Sequence, residues 1–409
     1  MTDMTKHISF TLTDAEKQLC VTRDGREVFT VCFSDGKVRA ALSYTANERP
    51  LYLRGEAAPG DEIRLVLRDY RIELYVNGEI KDEEWPWGEA LFCGGGAEKI
   101  LMPADIRELP MPEKKEQPAV IGHITGAEGW YPGGGVFVGD CMPYVHGGRY
   151  HVLWLKDRHH HKAKWGKGAH QWEHISTADL VNWDIHPMAV EIDDPSEGSI
   201  CTGSHIFDGG RHYLYYTVRK SDGSPATIQR SISEDGWHFS KDRDFAFTLS
   251  EKYHRESARD PKVIRGADGL LHMFVTTSEV AIDRGALAHL VSRDGGRWEE
   301  LPESIYISPD GSQPECSDYF EYRGRYYLIF SHHGKGQYLI SDRPFDGWRE
   351  PKEPHIPCSS VPKAGVFKGE RIIFTGFKGM GGYAGSMTFL EADTDENGEM
   401  RYFPVREMA

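Results

Sequence analysis

From about residue 138 onward the chain repeats one unit. Each copy ends in a Ser…Asp…Trp hairpin: Ser176 to Trp183, Ser233 to Trp237, Ser292 to Trp298 and Ser341 to Trp348, with the tryptophans 50–61 residues apart. Ahead of each hairpin comes a short strand bearing a small or acidic residue, then a Gly turn and an aromatic-rich strand. Repeats of this length are the mark of propeller blades or another repeat array. Residues 120–409 divide into five such units of roughly 58 each. The fifth, from Ala364 through Arg371-Ile-Ile-Phe-Thr-Gly376 to the end, lacks the Trp hairpin.

The opening strands of three units carry carboxylates: Asp140, Asp260 and Glu315. In a propeller the first strand of each blade lines the central channel, so matching positions converge on the axis. The three acids are therefore expected at one place in the first, third and fourth copies, facing one another at one mouth. Clustered carboxylates repel and are poor stability devices. They are what glycosidic bond cleavage needs: one acid protonates the leaving oxygen, and another attacks the anomeric carbon or activates water.

Composition narrows the alternatives. The net charge is −15 and no long basic run occurs, which argues against nucleic acid and anionic membrane as partners. No apolar stretch is long enough to cross a bilayer. The first residues lack the basic and apolar regions of a secretory leader, and the seven cysteines are scattered without CxxC spacing. Both features point to reduced thiols and a cytoplasmic protein. Cys141 and Cys316, each following a proposed catalytic acid, read as small residues of a packed channel wall.

The first 112 residues have a different character. Period-2 segments such as Ile8–Leu12, Glu27–Phe33, Val38–Tyr44, Glu62–Arg68 and Arg71–Gly78 read as a small antiparallel β-sandwich. Residues 113–119, polar and bracketed by prolines, read as a linker. The expected architecture is thus all-β: an N-terminal sandwich (1–112), the linker, and a five-bladed propeller (120–409). The sandwich also offers a surface for homo-oligomer formation.

Four motifs, in order, resemble glycoside hydrolase family 32, the invertases, inulinases and levanases, over residues 135 to 345. Arg259-Asp260-Pro261 is similar to the family's Arg-Asp-Pro element, and Glu315-Cys316-Ser317-Asp318 to its Glu-Cys-Pro-Asp element. Gln171–Trp183 resembles its His-Trp-Gly-His…Asp-Leu-Val-x-Trp stretch, and Cys201-Thr202-Gly203-Ser204 its Phe-Ser-Gly-Ser element. The resemblance implies double displacement with retention on a small furanoside. Asp140 would be the nucleophile, Asp260 the transition-state stabiliser and Glu315 the acid/base. Trp172, His174, Thr202, Ser204 and Arg259 would contact substrate. Arg259 has a second reading, as the ion-pair partner of a neighbouring acid.

The sequence also departs from the family. Asp140 stands in Gly139-Asp140-Cys141 where the family has Asn-Asp-Pro, Leu155 stands where its Gln falls, and the sandwich precedes the propeller instead of following it. The changes in blade one count against sucrose or simple inulin as substrate. Three alternatives from other classes stand beside this reading: an inverting arabinofuranosidase- or xylosidase-like enzyme, a fructosyltransferase, and a non-catalytic carbohydrate-binding propeller. The run His159-His160-His161 reads as a solvated or sugar-contacting loop and not as a metal site. Trp130, Tyr131 and Trp165 are candidates for stacking on sugar rings. No cofactor and no metal is implied, because the carboxylates suffice.

Overall fold

Alternation of apolar and polar residues in the N-terminal segment produces two antiparallel sheets. The computed structural model describes residues 6–408 apart from 24, 45–46, 68–70, 85–97, 102–104, 111–118, 122–128, 134, 159–169, 195, 221–222 and 359. One sheet joins Lys6–Thr11, Glu62–Leu67, Ile72–Val76, Glu79–Glu84 and Arg107–Glu108. The other joins Lys17–Arg23, Arg26–Ser34, Lys37–Tyr44, Asn47–Glu56 and Glu98–Leu101. Phe10, Ile63, Leu65 and Leu74 of the first sheet bury against Leu19, Val31, Val38 and Ala40 of the second. The hairpin turns at Asp35-Gly36 and Asn77-Gly78 have positive φ at both residues, the twist that tight hairpins favour.

The remainder forms five blades around an axis. Their inner strands are Val136–His146, Glu197–Asp208, Arg259–Arg265, Glu315–Tyr322 and Ser360–Phe367. Each lies beside the next, and the last lies beside the first. Blades one and five also share a sheet through Val138 and Gly385. The fifth inner strand begins four residues before the expected Ala364. Ala119–Ile121 adds an outer strand to blade one by pairing with Trp183–Val190. Most of the expected linker, the His159-His160-His161 run and Trp165 lie outside the described residues.

The Ser…Asp…Trp units are the turns that lead from the third strand of a blade towards its outer edge. In blade two the Ser233 hydroxyl accepts from the Gly236 N–H, and Asp235 accepts from the N–H groups of Trp237 and His238. The tryptophans of the first three blades pack on the preceding blade. Trp183 meets Phe389, Trp237 lies 4.1 Å from His186, and Trp298 lies 5.7 Å from Tyr215. Among the described residues no helix is long and apolar enough to cross a membrane.

Candidate active site

Every inner strand carries a β-bulge at the same level. The extra residues fall between Val138 and Cys141, Ile200 and Gly203, Arg259 and Lys262, Glu315 and Asp318, and Ser360 and Lys363. A bulge breaks the pairing ladder and re-aims a side chain, which is why bulges gather at barrel rims and active sites. Pro261 and Pro362 fit here because bulges tolerate a residue without an N–H. Asp260, Cys316 and Val361 have φ of 58°, 53° and 53°, a left-handed conformation that is strained for non-glycine residues and costs on the order of 1–3 kcal/mol each.

The bulges correct the expectation that the three acids share one register. Asp140 is the second bulged residue of its strand, Asp260 the first of its own, and Glu315 the residue ahead of the bulge. The acids are therefore staggered by one residue per step. The stagger leaves Asp140 and Asp260 buried, 4% and 2% exposed, while the Glu315 side chain is 32% exposed.

One thiol joins the two buried acids. Cys316 Sγ lies 3.4 Å from Asp140 Oδ2 and 3.3 Å from Asp260 Oδ2, and its backbone N–H donates to Asp260 Oδ2 at 3.1 Å. Asp140 also accepts from Thr202 Oγ1 at 2.5 Å and from the Tyr383 hydroxyl at 2.8 Å. Gly139 leaves room for that hydroxyl, since a Cβ there would fall 2.8 Å from it. Arg259 Nη2 donates to Glu315 Oε1 at 2.7 Å, and its Nε lies 3.5 Å from Asp260 Oδ2. Of the two readings of Arg259, the structure shows the ion pair. Gln313 holds the guanidinium from behind, accepting from Nη1 at 2.5 Å.

Burial pushes the Asp260 carboxyl up, Arg259 pulls it down, and the Asp140 and Glu315 carboxylates push it up further. The Cys316 thiol is raised by burial and by Asp260 and Asp140, so it stays protonated and donates. The layer after the bulges is Cys141, Gly203, Lys262, Asp318 and Lys363. Lys262 Nζ meets Asp318 Oδ1 at 2.5 Å, and the buried Lys363 donates to the Gly203 carbonyl at 3.1 Å. Lys363 and Arg259 offset the negative charge around Asp260, while Lys262 is matched by Asp318.

Of the expected substrate contacts, Thr202 and Arg259 join the acids and three others do not. Ser204 Oγ donates to the Pro261 carbonyl and accepts from the Val263 N–H, which ties blade two to blade three. Trp172 is fully buried in an apolar cluster with its indole N–H on the Cys201 carbonyl. His174 is buried in a stack with Tyr144, His151 and His186. Trp130 packs edge-on against Trp154, while Tyr131 is exposed and stacks on Phe137.

Reading the sequence missed Tyr383, Gln313 and Lys363. Only Lys363 left a signal: Val361-Pro362-Lys363 echoes Asp260-Pro261-Lys262. Tyr383 reaches Asp140 across 243 residues, from a loop with no recognisable pattern.

Comparison with known proteins bears on the family and the fold. The profile described as "Glycosyl hydrolases family 32 N-terminal domain" matches residues 141–346, half of the chain. A sucrose-6-phosphate hydrolase from Bacillus subtilis (strain 168) is 30% identical over 197 residues, covering 45% of this chain and 40% of that protein. One from Escherichia coli is 26% identical over 303 residues, covering 63% and 61%. The chain thus spans less than two thirds of either relative. A crystal structure of fructan 1-exohydrolase IIa from Cichorium intybus with 1-kestose superposes with a TM-score of 0.58 at 18% identity, covering 70% of this chain and 61% of that one. At that identity the likeness is one of fold. The match over half of the chain leads to one assignment: this chain belongs to glycosyl hydrolase family 32.

Proposed function

We propose that the chain is a retaining glycoside hydrolase acting on small β-fructofuranosides. The observation that carries this reading is the convergence of three carboxylates from three blades, two on one thiol and the third on Arg259. Asp140, oriented by Thr202 and Tyr383, attacks the anomeric carbon. As the glycosidic C–O bond breaks, the departing oxygen takes the proton of Glu315, and a covalent fructosyl ester forms on Asp140. Glu315, now a carboxylate, takes a proton from water. The water oxygen displaces Asp140, which returns as a carboxylate. Asp260 accepts hydrogen bonds from ring hydroxyls and balances the oxocarbenium-like charge.

Glu315 suits a group that exchanges protons with leaving group and water, being the most exposed of the three acids. The sucrose-6-phosphate and fructan named for the relatives support furanosides as the substrate class. Cys20, Cys32, Cys141 and Cys316 carry free thiols, which supports a reducing compartment.

The test is a sugar-release screen over sucrose, kestose, inulin, levan and arabinofuranosides with wild type and Glu315→Gln. NMR would follow the first-formed anomer. Fructose release with retention, by wild type alone, supports the reading. Arabinose release or inversion would move the chain to another furanosidase class. Product that forms only with an acceptor sugar would make it a transferase.

A further inference from the structure

A second cluster with its own chemistry stands where the loop that leads into Glu315 meets the hairpin after Arg325–His332. Asp310, His332 and His333 bring one carboxylate oxygen and two imidazole nitrogens within 4.8 Å of one another. His332 and His333 are consecutive, and in a strand their side chains would point to opposite faces. At the hairpin between Arg325–His332 and Lys335–Ser341, His333 adopts φ of 50°. The turn brings its ring to 4.3 Å from that of His332. Both rings then meet Asp310: His333 Nε2 lies 2.9 Å from Oδ2, and His332 Nε2 lies 3.4 Å from Oδ1.

We propose that these three residues bind a divalent cation of the zinc class. Two imidazoles and one carboxylate favour zinc-type ions over calcium or magnesium, which prefer oxygen alone. Tetrahedral ligands at about 2.1 Å stand about 3.4 Å apart. The His332–Asp310 separation matches that spacing, the His333–Asp310 separation is shorter by about 0.5 Å, and rotation of the exposed His333 lengthens it and closes the third. Water takes the fourth position. On binding, the ion takes the place at His332 Nε2 that the buried Ser308 hydroxyl fills at 2.9 Å, while that hydroxyl keeps its donation to Asp310 Oδ1 at 3.1 Å.

The ion fastens the crossover from blade three to blade four. Gln313, on the same crossover, holds Arg259 and also donates to the Ser257 and Ser278 hydroxyls. Two residues later the chain delivers Glu315. The cation is thus a clamp on the segment that positions the proposed acid/base and takes no part in bond breaking.

The full chain, stripped of metal by chelator and dialysed, is titrated with Zn²⁺ by calorimetry, and its Tm is followed in parallel. One equivalent bound with Kd in the range of about 10 μM or tighter, and a Tm that rises on binding, are expected. His333→Ala and Asp310→Asn, whose side chains are 62% and 49% exposed, should fold normally and lose more than the roughly 10–100-fold in affinity typical of second-sphere changes. The triple variant His159→Ala/His160→Ala/His161→Ala should bind as wild type does. Absence of saturable uptake by wild type overturns the proposal. So does equal uptake by His333→Ala and Asp310→Asn, or uptake lost only in the triple variant.

Discussion

Tyr383 and Lys363 act on the acids from blade five. Tyr383 donates to Asp140 Oδ1 and accepts from the Asp140 N–H, so it fixes the angle of the proposed nucleophile. A hydrogen bond to a charged group contributes about 1.5–3 kcal/mol, or roughly 10- to 150-fold. Tyr383→Phe should lower kcat/KM by up to that factor and lower Tm as well, and unaltered kinetics would remove Tyr383 from the site. Glu315→Gln should cost about 10²–10⁴-fold in kcat, and Tm is the check that the fold survives. Lys363 pulls the Asp260 carboxyl down against burial. In Lys363→Met that carboxyl rises further, so an ionised Asp260 is lost at higher pH. The acidic limb of the kcat/KM profile should therefore move up. A limb that stays in place would show that Asp260 does not titrate in it.

Between elements, the sandwich is tied to the propeller by one buried acid. Glu83, on the strand Glu79–Glu84, meets Lys156 at 2.6 Å and Arg158 at 2.7 Å on the second strand of blade one, and Arg71 at 2.7 Å in its own sheet. Lys156 pairs with Val138, next to the Gly139-Asp140 bulge. The sandwich is thus anchored directly behind the proposed nucleophile. Burial disfavours the charged form of Glu83, yet the three cations hold its carboxyl well below the usual range. Removing one member of a buried ion network typically costs about 3–5 kcal/mol, because the remaining charges lose their partner. Glu83→Gln should lower stability by that amount in urea unfolding. A loss below about 1 kcal/mol would mean the network is solvated like a surface pair.

For the whole molecule, blades one and two close on a histidine stack. His151, His174, His186 and His205 pack around Tyr144 and Trp237. Burial pulls His151 down to about 3 and His186 to about 4, and holds His174 and His205 well below the usual value. The unfolded chain takes up these protons near pH 6.5 and the folded chain refuses them, so stability rises with pH across this window. Tm should fall continuously from about pH 6.5 towards pH 4, and His186→Gln should flatten the slope. A Tm constant over that range would show that the stack stays protonated or solvated.

The repeat, the hairpin turns and the sandwich strands were legible because they depend on contacts within a few residues. Ser233 caps its own turn, and Asn77-Gly78 turns its own hairpin. Asp140, Asp260, Glu315 and Thr202 could be found because the blades repeat and the motifs keep their order. Sequence spacing could not reveal the one-residue stagger, since a bulge adds a residue to one strand without changing the alternation around it. Nor could it assign Trp172, His174 and Ser204 to blade packing, or bring Tyr383 to Asp140 and Glu83 to Arg158. Those pairs are 243 and 75 residues apart. They meet only because the five inner strands close into a ring and the sandwich folds back onto blade one. The sequence by itself determined the blades and the acids they carry. The tertiary structure decided which acid is buried, which is exposed, and which cations stand beside them, because burial and charge pairing depend on the neighbouring blades and not on the strand itself.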